Sequence, residues 1–102
     1  MKKKAEIKKY DANILENIGR DGDFYSLNDL WVIAGSPDAK RPNDWKNTQQ
    51  GSDFIVSACR FLNAAQNGII KSKRGKGGGT YGIRQVALEY AKYLDADLAV
   101  IV

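Results

Sequence analysis

Three sets of residues in this 102-residue chain have the types and spacing that chemistry or ligand binding needs. The first is Gly77-x-Gly79-x-x-Gly82, which matches the glycine spacing of a dinucleotide-binding turn. That turn also needs a βαβ unit and an acidic residue roughly 20 positions further on for the ribose, and here the chain reaches only the apolar Val102. A flexible hairpin tip is the better account of these glycines. The second set is the paired carboxylates Asp21 and Asp23, and Asp95 and Asp97, which general acid–base catalysis could use. Both pairs stand in turn-like contexts beside Gly or Ala, where aspartate serves turns and helix caps. The third set is cationic and amide-rich. Lys40, Arg41, Asn43, Lys46, Asn47, Gln49 and Gln50 lie in one stretch, and Lys71, Lys73, Arg74 and Lys76 lie in another. Lys and Arg neutralise phosphates, while Asn, Gln and Arg can hydrogen-bond base edges in the major groove.

Composition narrows the choice. There is no histidine and one cysteine, Cys59, so the usual zinc sites, a His-based acyl-transfer triad and an internal disulfide are all excluded. Cys59 is expected as a small buried hydrophobe on the apolar side of a helix. No catalysis, cofactor or metal is expected. The basic start Met1-Lys2-Lys3-Lys4 is not followed by an apolar stretch and does not read as a signal peptide, so a cytoplasmic setting is expected. The formal net charge of +4 is segregated: residues 40–76 carry eight basic side chains against Asp44 and Asp53, a surplus of six, whereas the flanking segments are slightly acidic. Segregation of this kind fits a polyanionic partner, nucleic acid before anionic membrane; a solvated basic loop is the plain alternative.

These sets need elements to position them. Ile7 to Ile18 reads as one or two short strands, Asp21-Gly22 as a turn, and Phe24-Tyr25 as the end of a strand. Ser26 suits the N-cap of a first helix, with Asp29 as capping-box partner and Leu27, Leu30, Trp31 and Ala34 facing the core. Gly35-Ser36-Pro37 stops it. Pro42 suits the first position of a short second helix running to about Thr48, fastened by Trp45. A third helix is expected from Ser52-Asp53, with Phe54, Ile55, Ala58, Phe61, Leu62 and Ala65 as its apolar face and Asn67-Gly68 as its stop. Ile69-Ile70 and Thr80-Tyr81 flank the second basic stretch as two strands with a basic tip. Ile83, Val86, Ala87, Tyr90, Ala91 and Leu94 mark one face of a last helix. Leu98 to Val102 is expected to pair as a strand with the N-terminal strands, in a domain excised from a longer protein.

Several blocks carry a family resemblance. Gly79-Thr80-Tyr81-Gly82-Ile83, then Val86 to Leu94 and Leu98-Ala99-Val100, resembles the C-terminal half of the KilA-N domain. Tyr25-Ser26-Leu27-Asn28-Asp29-Leu30 resembles that family's strand-to-helix segment, and Lys40-Arg41-Pro42-Asn43-Asp44-Trp45 its basic segment ending in tryptophan. The departures are Tyr81 where tryptophan is usual, Ile83-Arg84 where His-Pro is frequent, Asp23 in place of glycine and Asn28 in place of threonine. KilA-N domains occur in proteins of bacteriophages and large DNA viruses and are related to the fungal APSES DNA-binding domain. The resemblance implies a small α+β, winged helix-turn-helix-like domain over residues 7–102, preceded by a basic tail at 1–6. It would have about four helices, N-terminal strands pairing with a C-terminal strand, and a basic β-hairpin wing. It implies double-stranded DNA as partner, with Arg41 to Gln50 as the recognition segment and Lys71 to Lys76 as the wing, in a phage or prophage regulator of antirepressor type that is nucleoid-associated when bound. The rival reading is a protein-interaction module that binds a repressor or another phage or host protein, or tethers an effector domain. RNA binding fits less well, because the basic stretches lack exposed stacking aromatics. Self-association, if any, is expected through a region beyond Val102.

Overall fold

The computed structural model describes Tyr10, residues 12–76 and residues 78–101. The tail at 1–6, Gly77 and Val102 lie outside the described residues, and with them the readings placed there. The described chain forms six α-helices and one four-stranded antiparallel sheet: α1 (Ile14–Asn17), β1 (Arg20–Asp21), β2 (Phe24–Ser26), α2 (Leu27–Ile33), α3 (Pro42–Lys46), α4 (Gln49–Leu62), β3 (Ile70–Lys73), β4 (Gly79–Gly82), α5 (Arg84–Leu94) and α6 (Ala96–Ile101).

The sheet order is β1-β2-β4-β3. Gly22, at φ 64°, opens the two-residue connection between Asp21 and Phe24, which pair. β2 joins β4 through Tyr25–Gly82 and Ser26–Tyr81, and β3 joins β4 from Ile70–Gly82 out to Lys73–Gly79. Side chains alternate between faces, so Tyr25, Ile70 and Thr80 share the buried face, against which α5 packs. Gly82 belongs to that contact, since a Cβ there would meet Val86 Cγ1 at 2.6 Å.

α5 follows its expected periodicity. Val86, Ala87, Tyr90 and Ala91 are fully buried, and Leu94 nearly so. Ser26 caps α2 as expected, its hydroxyl accepting from Asp29 N–H at 3.1 Å. The reciprocal half of the box is absent: the Asp29 carboxylate accepts from Gly19 N–H at 2.7 Å, and Ser26 N–H donates to Gly19 O.

Several expectations need correction, among them the helix count, which is six among the described residues instead of about four. Residues 14–17 are helical, not extended, because Ile14, Leu15 and Ile18 present one apolar face to the core. The C-terminal run is α6 and pairs with no strand. The Asp95 carboxylate accepts Asp97 N–H at 2.9 Å at its start, and Leu98 is buried against α5. A five-residue apolar run is equally compatible with strand and helix, and here the cap and the burial at Leu98 select helix. The third helix begins at Gln49, because Thr48 supplies the capping oxygen to Gly51 N–H at 2.9 Å. It ends at Asn63, which is left-handed at φ 53°, ψ 51°, with Ala64 N–H reaching Cys59 O; Asn67-Gly68 falls in a later 3-10 turn. On this helix Ile55 is the only fully buried member of the expected apolar face, Cys59 is only partly buried, and Phe61 is 88% exposed.

Candidate nucleic-acid interface

The first basic stretch is built on Trp45. Its side chain is fully buried and packs on Tyr90 (ring centroids 5.6 Å) and Phe54 (6.5 Å). Its indole N–H is buried without a hydrogen-bond partner. Only two residues, Asn47 and Thr48, separate α3 from α4. Thr48 locks this corner, its hydroxyl donating to Trp45 O at 2.7 Å while accepting from Gly51. Gly51 has to be glycine, because a Cβ would overlap the Trp45 carbonyl.

The loop before α3 is tied to α5. Tyr90 donates its hydroxyl hydrogen to Lys40 O at 2.6 Å, and burial, with lesser contributions from Tyr93 and Asp44, pushes this hydroxyl well above the ordinary tyrosine range. The Lys40 ammonium donates to Tyr93 O at 3.1 Å, near the C-terminal end of α5, where a cation is favoured. Trp31 Nε1 donates to Pro37 O at 2.9 Å. Sequence reasoning placed Trp31, Tyr90 and Tyr93 in the core or left them unassigned; their polar ends position the basic stretch.

With the scaffold so fixed, Asn43, Asn47, Gln49 and Gln50 are exposed and Lys46 is half-buried. Asn47 Nδ2 donates to Asn43 O at 3.0 Å, and Gln49 Nε2 donates to Asp53 Oδ1 at 2.8 Å. Arg41 is exposed, its guanidinium 5.1 Å from the Trp31 ring and 3.9 Å from Asp38 Oδ1.

The second stretch is the β3–β4 hairpin. Its turn closes through Gly75, at φ 80°, whose carbonyl accepts from Gly78 N–H at 2.8 Å. Arg74 and Lys76 are exposed at the tip. Asn28 of α2 anchors the base of β4, its Oδ1 accepting from Thr80 N–H at 2.7 Å. Gly79, at φ 138°, allows the approach, since a Cβ there would meet the same oxygen. Lys71 and Lys73 are drawn across the open face of the sheet to Asp21 on the opposite edge strand, at 2.8 and 3.7 Å. The Lys71 ammonium lies 4.4 Å from the Phe24 ring centroid, and that of Lys73 lies 5.5 Å from Tyr81. The hydrogen bond from Lys71, then the charges of Lys71 and Lys73, hold the Asp21 carboxyl below its usual range.

Gly79 and Gly82 of the glycine pattern thus lie on strand β4. Asp95 is occupied by Tyr10, whose hydroxyl donates to it at 2.6 Å, and by the start of α6. Among the described residues no group of three or more His, Cys, Asp or Glu could hold a metal ion, and no helix is long and apolar enough to cross a membrane. The two basic stretches do not merge. α3 packs on α2, α4 and α5, whereas hairpin strand β4 is held by β2, α2 and α5, so α2 and α5 are the elements they share.

A small α+β domain carrying cationic and amide side chains on a rigid helical corner and on a glycine-closed hairpin has the surface of a polyanion-binding module. The KilA-N domain model matches residues 8–102, and the chain belongs to that family of DNA-binding domains. No curated protein and no solved structure matches the chain.

Proposed function

We propose that this domain binds double-stranded DNA in the manner of a winged helix-turn-helix. In this reading α2 and α3 form the helical pair, α3 and the first turn of α4 approach the major groove, and the β3–β4 hairpin acts as the wing. The observation that carries it is the exposed row Arg41, Asn43, Asn47 and Gln50 on a corner whose inner side is fastened by the fully buried Trp45. Asn and Gln are the side chains that read adenine edges bidentately. Arg74 and Lys76 contact phosphates directly, whereas Lys71 and Lys73 do so by exchanging the Asp21 carboxylate for a phosphate. Lys40 serves as a positioning residue, its ammonium held on Tyr93 O, whereas the exposed Asn47 and Gln49 exchange Asn43 O and Asp53 Oδ1 for base edges on binding. The domain performs no catalysis and serves a phage or prophage regulator of antirepressor type.

Selection from a random duplex library tests this reading. Enrichment of a defined motif is expected, and Asn43→Ala, Asn47→Ala or Gln50→Ala should relax preference at individual positions, each worth about 1–3 kcal/mol of discrimination. Retention of the same motif by all three variants would remove the α3–α4 corner from the base-reading surface.

A further inference from the structure

The outer side of α4 takes no part in the DNA contacts proposed above and is left largely uncovered by the other described residues. Phe54, Ser57, Ala58 and Phe61 are spaced i, i+3, i+4 and i+7, which places them in one stripe, while Ile55 turns to the core. Phe61 is 88% and Leu62 43% exposed. With Gln85 at the start of α5 these side chains line an apolar groove of about 600 Å³, with Arg60 among its lining residues. A contiguous apolar patch of this kind marks an interaction surface, unlike scattered exposed hydrophobics.

The charges beside the stripe identify the occupant. Asp53 and Arg60 each precede one of the two phenylalanines and share one flank of the helix. Seven residues apart, they are about 10 Å from each other along the axis and cannot pair within one chain. Neither makes an ion pair among the described residues; Asp53 accepts only the Gln49 amide. If a second copy is laid antiparallel about a two-fold axis near Ser57–Ala58, Phe54 of each faces Phe61 of the other. The same operation brings Asp53 opposite Arg60 twice. A parallel two-fold would put the two charged flanks on opposite sides of the seam, so that neither ion pair could form. The order acid-then-base along one flank is therefore complementary to its own antiparallel copy.

We propose that the α4 stripe is a homodimer interface in which two copies of this chain pack α4 against α4 antiparallel, with Phe54–Phe61 contacts flanked by two symmetric Asp53–Arg60 ion pairs. One helix face is smaller than the roughly 800 Å² per partner of a standard interface, so the dimer is weak, with a Kd on the order of tens of micromolar. The surface lies within the domain, not in a region beyond Val102.

Sedimentation equilibrium of the whole chain, without DNA, at concentrations up to about 1 mM tests this. The wild type should show a reversible monomer–dimer equilibrium. Phe61→Ser should weaken it at least about tenfold. Asp53→Arg and Arg60→Asp should each weaken it by about fivefold or more, and the double reversal should return it to within about threefold of wild type. All three side chains are solvent-facing, and circular dichroism verifies that each variant is folded. A monomer at every concentration, a dimer indifferent to Phe61→Ser, or a double reversal no better than the singles would overturn the proposal. Because no DNA is present, each of these results is separable from failure of the DNA-binding reading.

Discussion

Asp21 shows what a single carboxylate can do to a basic surface. It stands in a turn sequence and reads as a turn residue, yet its oxygen gathers Lys71 and Lys73 from the far edge of the sheet. No local pattern relates residues 21 and 71, because their meeting depends on the register of three strand pairs. If the hairpin binds DNA, this carboxylate competes with phosphate. Asp21→Asn should therefore raise affinity for duplex DNA and steepen the dependence of log affinity on log salt by about 1–2 units, read by fluorescence anisotropy. Its pH dependence has a defined sign. The folded carboxyl lies below the unfolded one, so the pair's contribution to folding is present above the ordinary aspartate pKa of about 3.9 and is lost as pH falls through the lowered folded value. Asp21→Asn should flatten the acid limb of a pH–stability curve measured by urea unfolding. Trp45 is the counterpart in the core. Trp45→Ala should cost about 3–5 kcal/mol in urea unfolding, whereas Trp45→Phe should cost clearly less, because the indole N–H it removes has no partner.

At the scale of elements, the corner between α3 and α4 and the anchor of the β3–β4 hairpin hold the candidate interface. Gly51→Ala forces a methyl group into the Trp45 carbonyl and should destabilise the domain by about 1–3 kcal/mol, measured by thermal or urea denaturation. Asn28→Ala removes the acceptor for Thr80 N–H and should cost about 1–2 kcal/mol, with faster hydrogen exchange at that amide while α5 amides keep their protection. Elements with long, regular periodicity were legible: α5 over eleven residues, α2 with its Ser26 cap, and Pro42 at the start of α3. The short ones were not. Residues 14–17 and 96–101 carry too few apolar positions for periodicity to separate helix from strand, and tertiary contacts at Ile14 and Leu98 decide them. For α4 the apolar spacing was visible, but spacing names a face and not its cover, and Phe61 on that face stands exposed.

Across the whole molecule the charge is partitioned, and the partition was visible in the linear sequence. The surplus of six over residues 40–76 folds into two separate places, the α3 corner and the hairpin, joined through α2 and α5. What the chain order hid is which cations remain available: Lys40 is spent on the end of α5, Lys71 and Lys73 share Asp21, and Arg74 and Lys76 stand exposed at the tip. In the proposed binding mode the tip cations hold DNA phosphates, and a salt series of duplex binding reads this out. Replacing Arg74 and Lys76 together by Gln should reduce the slope of log affinity against log salt by about 2 units, uniformly across DNA sequences. An unchanged slope for this double variant would remove the hairpin tip from the DNA interface.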